Sequence, residues 1–280
     1  MKTGKSSSLR DTPLTNIMII DFHTHIFPDR IAAATIEAVC RRSDIQASSD
    51  GTVNSLLHSM SAAGIDISVV CSVATRPEQA SSIIRWLSGI RQPGIIPLAP
   101  IHPGSPDIPD TLGQLKEQGF KGLKMHPDYQ DFYVDDKRVY PLYEAAQSEG
   151  MFILFHAGLD RGLPNPVHGT PGRFAKVIKD FPHLCVIAAH MGGEDVYEET
   201  EERLIGRDIY MDTSFVLRKM PSDLLKRFFQ RHPAERFLFA TDSPWLDQKE
   251  ELDFLLSLPF LTVDAKEKIT GGNASKLLGL

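Results

Sequence analysis

No stretch of this 280-residue chain is apolar for the length of a membrane span, and its first residues, MKTGKSSSLRDTPLTN, lack the continuous apolar run of a secretory signal. A soluble cytoplasmic protein is therefore expected, with a flexible arm over residues 1–16 and one domain over 17–280. Cysteine is scarce. Cys40, Cys71 and Cys185 are widely spaced and odd in number, which argues against a disulfide framework and reads as reduced thiols in apolar surroundings. Cations are in the minority, 30 Lys and Arg against 36 Asp and Glu, for a net charge of -6. That balance leaves no basic face for nucleic acid or an anionic membrane, so the expected partner is a small-molecule substrate. No Gly/Ser-rich linker or low-complexity tract divides the chain. No pattern specifies an oligomeric state, and a homo-oligomer is compatible with the sequence.

What is present is a repeat of two patterns. Short apolar runs rich in Ile, Val, Leu and Phe alternate with longer stretches of helical periodicity, as expected of βα units. Eight such runs are legible: 18–26, 67–73, 95–101, 120–126, 152–156, 184–190, 209–213 and 236–241. Between them the spacing predicts helices that include 31–41, 53–63, 77–90, 109–118, 137–148, 171–180, 194–204 and 221–231. Gly64, Gly119 and Gly150 stand where helices stop, and Asn273 is expected to cap a last short helix. Strands alternating with helices imply a parallel sheet, and eight repeats in this length imply closure into a single (β/α)8 TIM barrel. An open doubly wound sheet would normally carry a glycine-rich phosphate turn after its first strand. Here that place holds FHTHIFP.

Polar residues cluster at the ends of the predicted strands. The first ends in His23 and His25, the fourth in Lys124 and His126, the fifth in His156, the sixth in His190 and the eighth in Asp242. His23 and His25, one residue apart, share a side of their strand and can reach one ion. A strand buried on both faces has no room for an unpaired imidazole or carboxylate, so these groups must sit at the barrel mouth, paired or bound to an ion. In a closed barrel the five ends converge on one cavity.

The motifs IIDFHTHIFP, GFKGLKMHPDYQDF, FILFHAG, VIAAHMGG, IYMDTS, FLFATDSPW and GGNASKLLGL together resemble the amidohydrolase superfamily, in its amidohydrolase-related group of TIM-barrel metal-dependent hydrolases. The resemblance implies that His23, His25, His156 and Asp242 hold a divalent metal, with Asp242 also moving protons. It implies that His190 polarises the substrate or, in two-metal relatives, ligates a second ion. It raises a further option for Lys124: carboxylation and bridging of two ions. Ala240 departs from the group, where a glycine often precedes the Ser/Thr-Asp pair.

Three histidines and a carboxylate leave a coordination position for water, whose pKa the ion lowers so that hydroxide becomes available. One zinc ion is the expected cofactor, with manganese or a second ion as alternatives. The expected function is a metal-dependent hydrolase opening a lactone, amide or ester-like bond in a small carboxylate-bearing metabolite. The alternatives are a metal-dependent decarboxylase of an aromatic or muconate-type acid, and a metal-free lactonase or binding protein. His190 can stabilise an oxyanion if it donates a proton. Lys124, His126, Arg76 and Arg161 are assigned to substrate binding, the arginines as bidentate carboxylate clamps, with Arg218 ranked beside them. Tyr129, Phe132 and Trp245 are further candidates for the pocket wall, and His102 for its rim. His58, His168, His183 and His232 are expected at the surface.

Overall fold

The computed structural model describes residues 17–90, 92–163 and 165–280, so the expected arm over 1–16 lies outside the described residues. The strands are β1 Ile20–Thr24, β2 Ile67–Val70, β3 Ile95–Pro97, β4 Ala99–Pro100, β5 Gly122–Met125, β6 Phe152–Phe155, β7 Val186–Ala188, β8 Tyr210–Asp212 and β9 Phe237–Leu238. All pairings are parallel, in the order β1-β2-β3 and β4 through β9. The predicted third run is split into β3 and β4 around Leu98, with Pro97 directly before it and Pro100 two residues after. Neither proline has an N–H to give to a ladder, and Leu98 N donates instead to Val70 O at 2.9 Å. The first and last strand regions meet through Phe22 N to Phe239 O at 2.9 Å, Asp242 N to His23 O at 2.8 Å and a parallel bridge between Thr24 and Ser243. The fold is a (β/α)8 TIM barrel.

Alternation along the strands sorts the core into two layers. Ile20, Phe22, Val69, Leu98, Phe152, Leu154, Ile187, Leu238 and Ala240 form one buried cluster, which fills the interior of the ring. Their neighbours Leu123, Ile153, Phe155, Val186, Met211, Phe237 and Phe239 belong to the larger cluster between strands and helices. Gly122 makes room inside, since a Cβ there would lie 2.2 Å from the Phe152 ring. Continuing the inward parity past the strand ends brings Lys124, His126, His156 and Asp242 toward the mouth. His23 breaks that parity, and the β1–β2 register shifts between Asp21 and Thr24. This irregularity lets Phe22 pack inside against Phe152 while the next residue, His23, also faces the mouth.

Several predicted elements shift in detail. Pro77–Gln79 is a 3-10 turn leading into the helix Ala80–Gly89, and the helix predicted over 194–204 is Tyr197–Arg203 because Gly192, Gly193 and positive-φ Asp195 precede it. Asn273 is no cap. It is the first residue of the last helix, and its side-chain amide donates to Ala234 O and Phe237 O at 2.8 Å each, tying that helix to β9. His232 is buried, contrary to expectation: Gly206 N donates to its Nδ1 at 3.1 Å and its Nε2 donates to Ile209 O at 3.0 Å. His58 and His183 are exposed. The three cysteines are free, and burial raises the thiol pKa of Cys71 and of Cys185 to about 12. Among the described residues no helix is long and apolar enough to cross a membrane.

Candidate metal centre

At the C-terminal ends of the strands lies a cavity of about 900 Å³. Its floor holds His23, His25, Lys124, His126, His156, His190 and Asp242. His25 Nε2 lies 3.0 Å and His23 Nε2 3.5 Å from Asp242 Oδ1, so these three residues offer donor atoms to one point. The tautomer of His23 follows from its other nitrogen. Nδ1 faces the Asp212 carboxylate at 2.9 Å and donates to it, which leaves the Nε2 lone pair for an ion. Burial pushes the Asp242 carboxyl up, but His23 and His25 outweigh it and hold the group below the usual carboxylate range. Burial lowers the pKa of His23, His126 and His156, which favours neutral imidazoles.

His156 falls in a different trio from the one expected, with His126 and Asp160. Its ring stacks on His126 at 4.2 Å between centroids with an interplanar angle of 8°. His126 Nε2 lies 3.3 Å from Asp160 Oδ2, and Tyr129 N donates to His126 Nδ1 at 3.3 Å. In the neutral ring, therefore, His126 Nε2 carries the proton and donates to Asp160. His190 Nδ1 faces the carbonyl of Ser214 at 3.1 Å, an acceptor only, so Nδ1 is the protonated nitrogen of the neutral ring. Its Nε2 then accepts from His156 Nδ1 at 3.0 Å. His156 Nε2 is left with a lone pair, buried and without a hydrogen-bond partner. A buried acceptor with no donor is costly unless an ion or ligand meets it. In this state His190 has no N–H aimed at an oxyanion, unlike the role expected of it.

Lys124 is fully buried, with Nζ 2.7 Å from His23 Nε2. Burial lowers its pKa. Arg161 lines the cavity but is already paired, with Asp195 at 2.9 Å and Glu194 at 3.4 Å. Arg76 does not line it. That side chain is exposed and lies 3.4 Å from Glu78, so the expectation of a carboxylate clamp there is corrected. Arg218 also turns away, to Glu250 and Glu251. Tyr129 and Trp245 are in the wall, Phe132 is in the core, and His102 instead accepts from Gly104 N at 2.9 Å.

Sequence reasoning missed the residues that hold this floor in place. Asp212 Oδ1 accepts from His190 N at 3.0 Å, Ser214 N at 3.1 Å and Ser214 Oγ at 2.5 Å, while Oδ2 takes the proton of His23. The MDTS motif carries both residues and was a usable signal. Asp160, Glu194 and Arg42 were also missed, because each sits in a loop or helix with no apolar run to point at it. Glu194 is placed by backbone: Gly158, at φ 86°, bridges to it, and a Cβ on Gly158 would lie 2.1 Å from Glu194 N. His190, Phe215 and Asp242 all adopt left-handed backbone conformations, which cost roughly 1–3 kcal/mol each and are kept where side chains must be aimed.

The donor set fits a divalent ion. Two imidazoles and a carboxylate converge, one imidazole is anchored through a carboxylate on its far nitrogen, and an unpartnered imidazole lone pair lies on the same floor.

Comparison with known proteins agrees with this architecture. Solved structures with the same fold include an uncharacterised TIM-barrel protein from Bordetella bronchiseptica, 22% identical, covering 94% of this chain and 99% of that one with a TM-score of 0.74. A dihydroxybenzoic acid decarboxylase from Polaromonas, with bound manganese and the inhibitor 2-nitroresorcinol, is 16% identical and covers 94% and 97% with a TM-score of 0.71. A 5-carboxyvanillate decarboxylase from Sphingomonas paucimobilis is 16% identical and covers 95% and 100% with a TM-score of 0.67. No curated protein matches the sequence. The family model described as amidohydrolase matches residues 20–280, and the chain belongs to that family of metal-binding TIM-barrel enzymes.

Proposed function

We propose that the protein is a metal-dependent hydrolase acting on a carboxylate-bearing metabolite with a lactone, amide or ester-like bond. The observation that carries this reading is the convergence of His23 Nε2, His25 Nε2 and Asp242 Oδ1, with His23 locked in the ligating tautomer by Asp212. His156, through its unpartnered Nε2, is the fourth residue assigned to the ion. A divalent ion held there supplies Lewis acidity, polarising a substrate oxygen and lowering the pKa of water.

The rest is done by the chain. Asp242, held below the usual carboxylate range, accepts a proton from the attacking water and returns it to the leaving group. Lys124 Nζ lies 2.7 Å from His23 Nε2, and with that lone pair on an ion its N–H groups would be available to a substrate carboxylate. His190, with its neutral-ring proton on Nδ1, donates from Nε2 only on taking up a second proton.

The second reading, a decarboxylase of an aromatic acid, is favoured by the activities named for the Polaromonas and Sphingomonas proteins of the same fold. Supplying zinc or manganese and assaying a lactone and ester panel beside carbon dioxide release from hydroxylated aromatic acids separates the two. Metal-dependent hydrolysis supports the first reading, and carbon dioxide release without hydrolysis overturns it in favour of the second.

A further inference from the structure

The cavity has two unlike walls. On the side of β5 to β8 it is polar, with His126, Asp160, Arg161 and Glu194. On the side of β1 and β2 it is apolar. The helix Asp29–Ser43 presents Ile31, Ala34, Thr35, Ala38 and Val39 to the cavity, and the helix Ala80–Gly89 presents Ile83 and Trp86. The first set is spaced as one stripe of a helix. The core does not use that stripe: of the fifteen residues in Asp29–Ser43 only Ala32 is buried, and Ile31 is 43% exposed. Ser43 and Arg42 at the far end lie against Gly162, and Arg42 donates to the Tyr129 hydroxyl, so the helix crosses the mouth from the β1 side to the loop after β6.

Size separates a small substrate from a large one. A single-ring carboxylic acid of about eleven non-hydrogen atoms, at no more than roughly 30 Å³ each, fills little over a third of the space. The remaining volume adjoins the apolar stripe, where an uncovered helix face loses apolar area to water unless a ligand covers it.

We propose that the cavity takes a carboxylic acid with an extended apolar body, a second ring or an aliphatic chain of similar length. Its acid end lies on the floor of histidines and Lys124. Its body lies along Ile31, Ala34 and Ala38 against Ile83 and Trp86. This deepens the proposed function and rests on its reading of the floor.

The chain carries its own reporters. Its two tryptophans, Trp86 and Trp245, both line the cavity, Trp86 on the apolar wall and Trp245 with its ring 6.4 Å from that of His25. Benzoate and biphenyl-4-carboxylate are titrated into zinc-supplied Trp245→Phe and Trp86→Phe proteins while fluorescence is followed. The biphenyl acid is expected to bind at least about tenfold more tightly than benzoate and to change Trp86 emission, which benzoate leaves unaltered. Ala38→Phe, which fills the stripe, is expected to abolish the preference while benzoate affinity stays within about twofold. Equal affinities, no binding of the biphenyl acid, or a silent Trp86 overturn the proposal. Zinc content is measured on the same samples. Intact zinc binding without the preference overturns the apolar subsite alone, whereas the preference in protein that binds no zinc overturns the metal reading alone.

Discussion

His23 and Asp212 are joined by a 2.9 Å hydrogen bond between side chains that are both buried, one on β1 and the other on β8, 189 residues apart in the chain. This bond fixes the His23 ring and, through the other Asp212 oxygen, holds the backbone of His190 and Ser214 as well. Asp212→Asn replaces an acceptor carboxylate by an amide that cannot serve all four donors. Zinc or manganese affinity, measured by competition with a chromophoric chelator, is expected to fall by roughly 10–100-fold. Unchanged affinity would show that the tautomer is set elsewhere.

Arg76 and Arg42 make opposite predictions. Arg76 is exposed and paired with Glu78, so Arg76→Ala is expected to change substrate kinetics by less than about twofold. Arg42 lines the cavity with its guanidinium 4.9 Å over the Tyr129 ring, and its contact to the Tyr129 hydroxyl is the one hydrogen bond described for it. Arg42→Ala is expected to raise KM for an acidic substrate while leaving zinc content unaltered. A steady-state comparison of the two variants checks both.

The reach of the sequence can be seen in these same residues. Strand ends were readable because apolar runs buried on two faces terminate abruptly in His23, His126, His156, His190 and Asp242, and nothing else in the chain explains such residues there. Arg76 was misplaced because a loop arginine after a strand has no periodicity to aim it. Arg42 was missed for a related reason: it lies on a helix whose apolar stripe faces the cavity, and a stripe reads the same whether it covers a core or a ligand. Grouping His156 with His126 and Asp160 needed the stacking of two rings, which no spacing encodes. The third run reads as one strand over 95–101, and its split around Leu98 was not anticipated, although Pro97 and Pro100 each lack the N–H that a ladder needs.

Burial holds His232 neutral, with a pKa lowered to about 4 from the ordinary 6.5. As pH falls through 6.5 the unfolded chain takes up a proton at this residue and the folded chain does not. Stability therefore drops from pH 6.5 until about pH 4, by about 3 kcal/mol in total from this group. Urea unfolding of wild type and His232→Gln across this window is expected to show a steeper pH dependence in wild type. Parallel curves would mean that another group carries the effect.

Asn273→Ala removes both donors from the Ala234 and Phe237 carbonyls without touching the cavity. A loss of about 1–3 kcal/mol in urea unfolding is expected, with metal binding preserved. A loss of metal at full stability would contradict the structural role given to this residue.

The central claim is that this floor holds a divalent ion through His23, His25, His156 and Asp242. Its most direct test is metal content by plasma mass spectrometry on untagged protein prepared without chelators, for wild type, His25→Ala, His156→Ala and Asp242→Asn. The account predicts about one equivalent of a divalent metal in wild type and little in each variant, all remaining folded by circular dichroism. Wild type that holds no metal, and binds none when zinc or manganese is supplied, would contradict it.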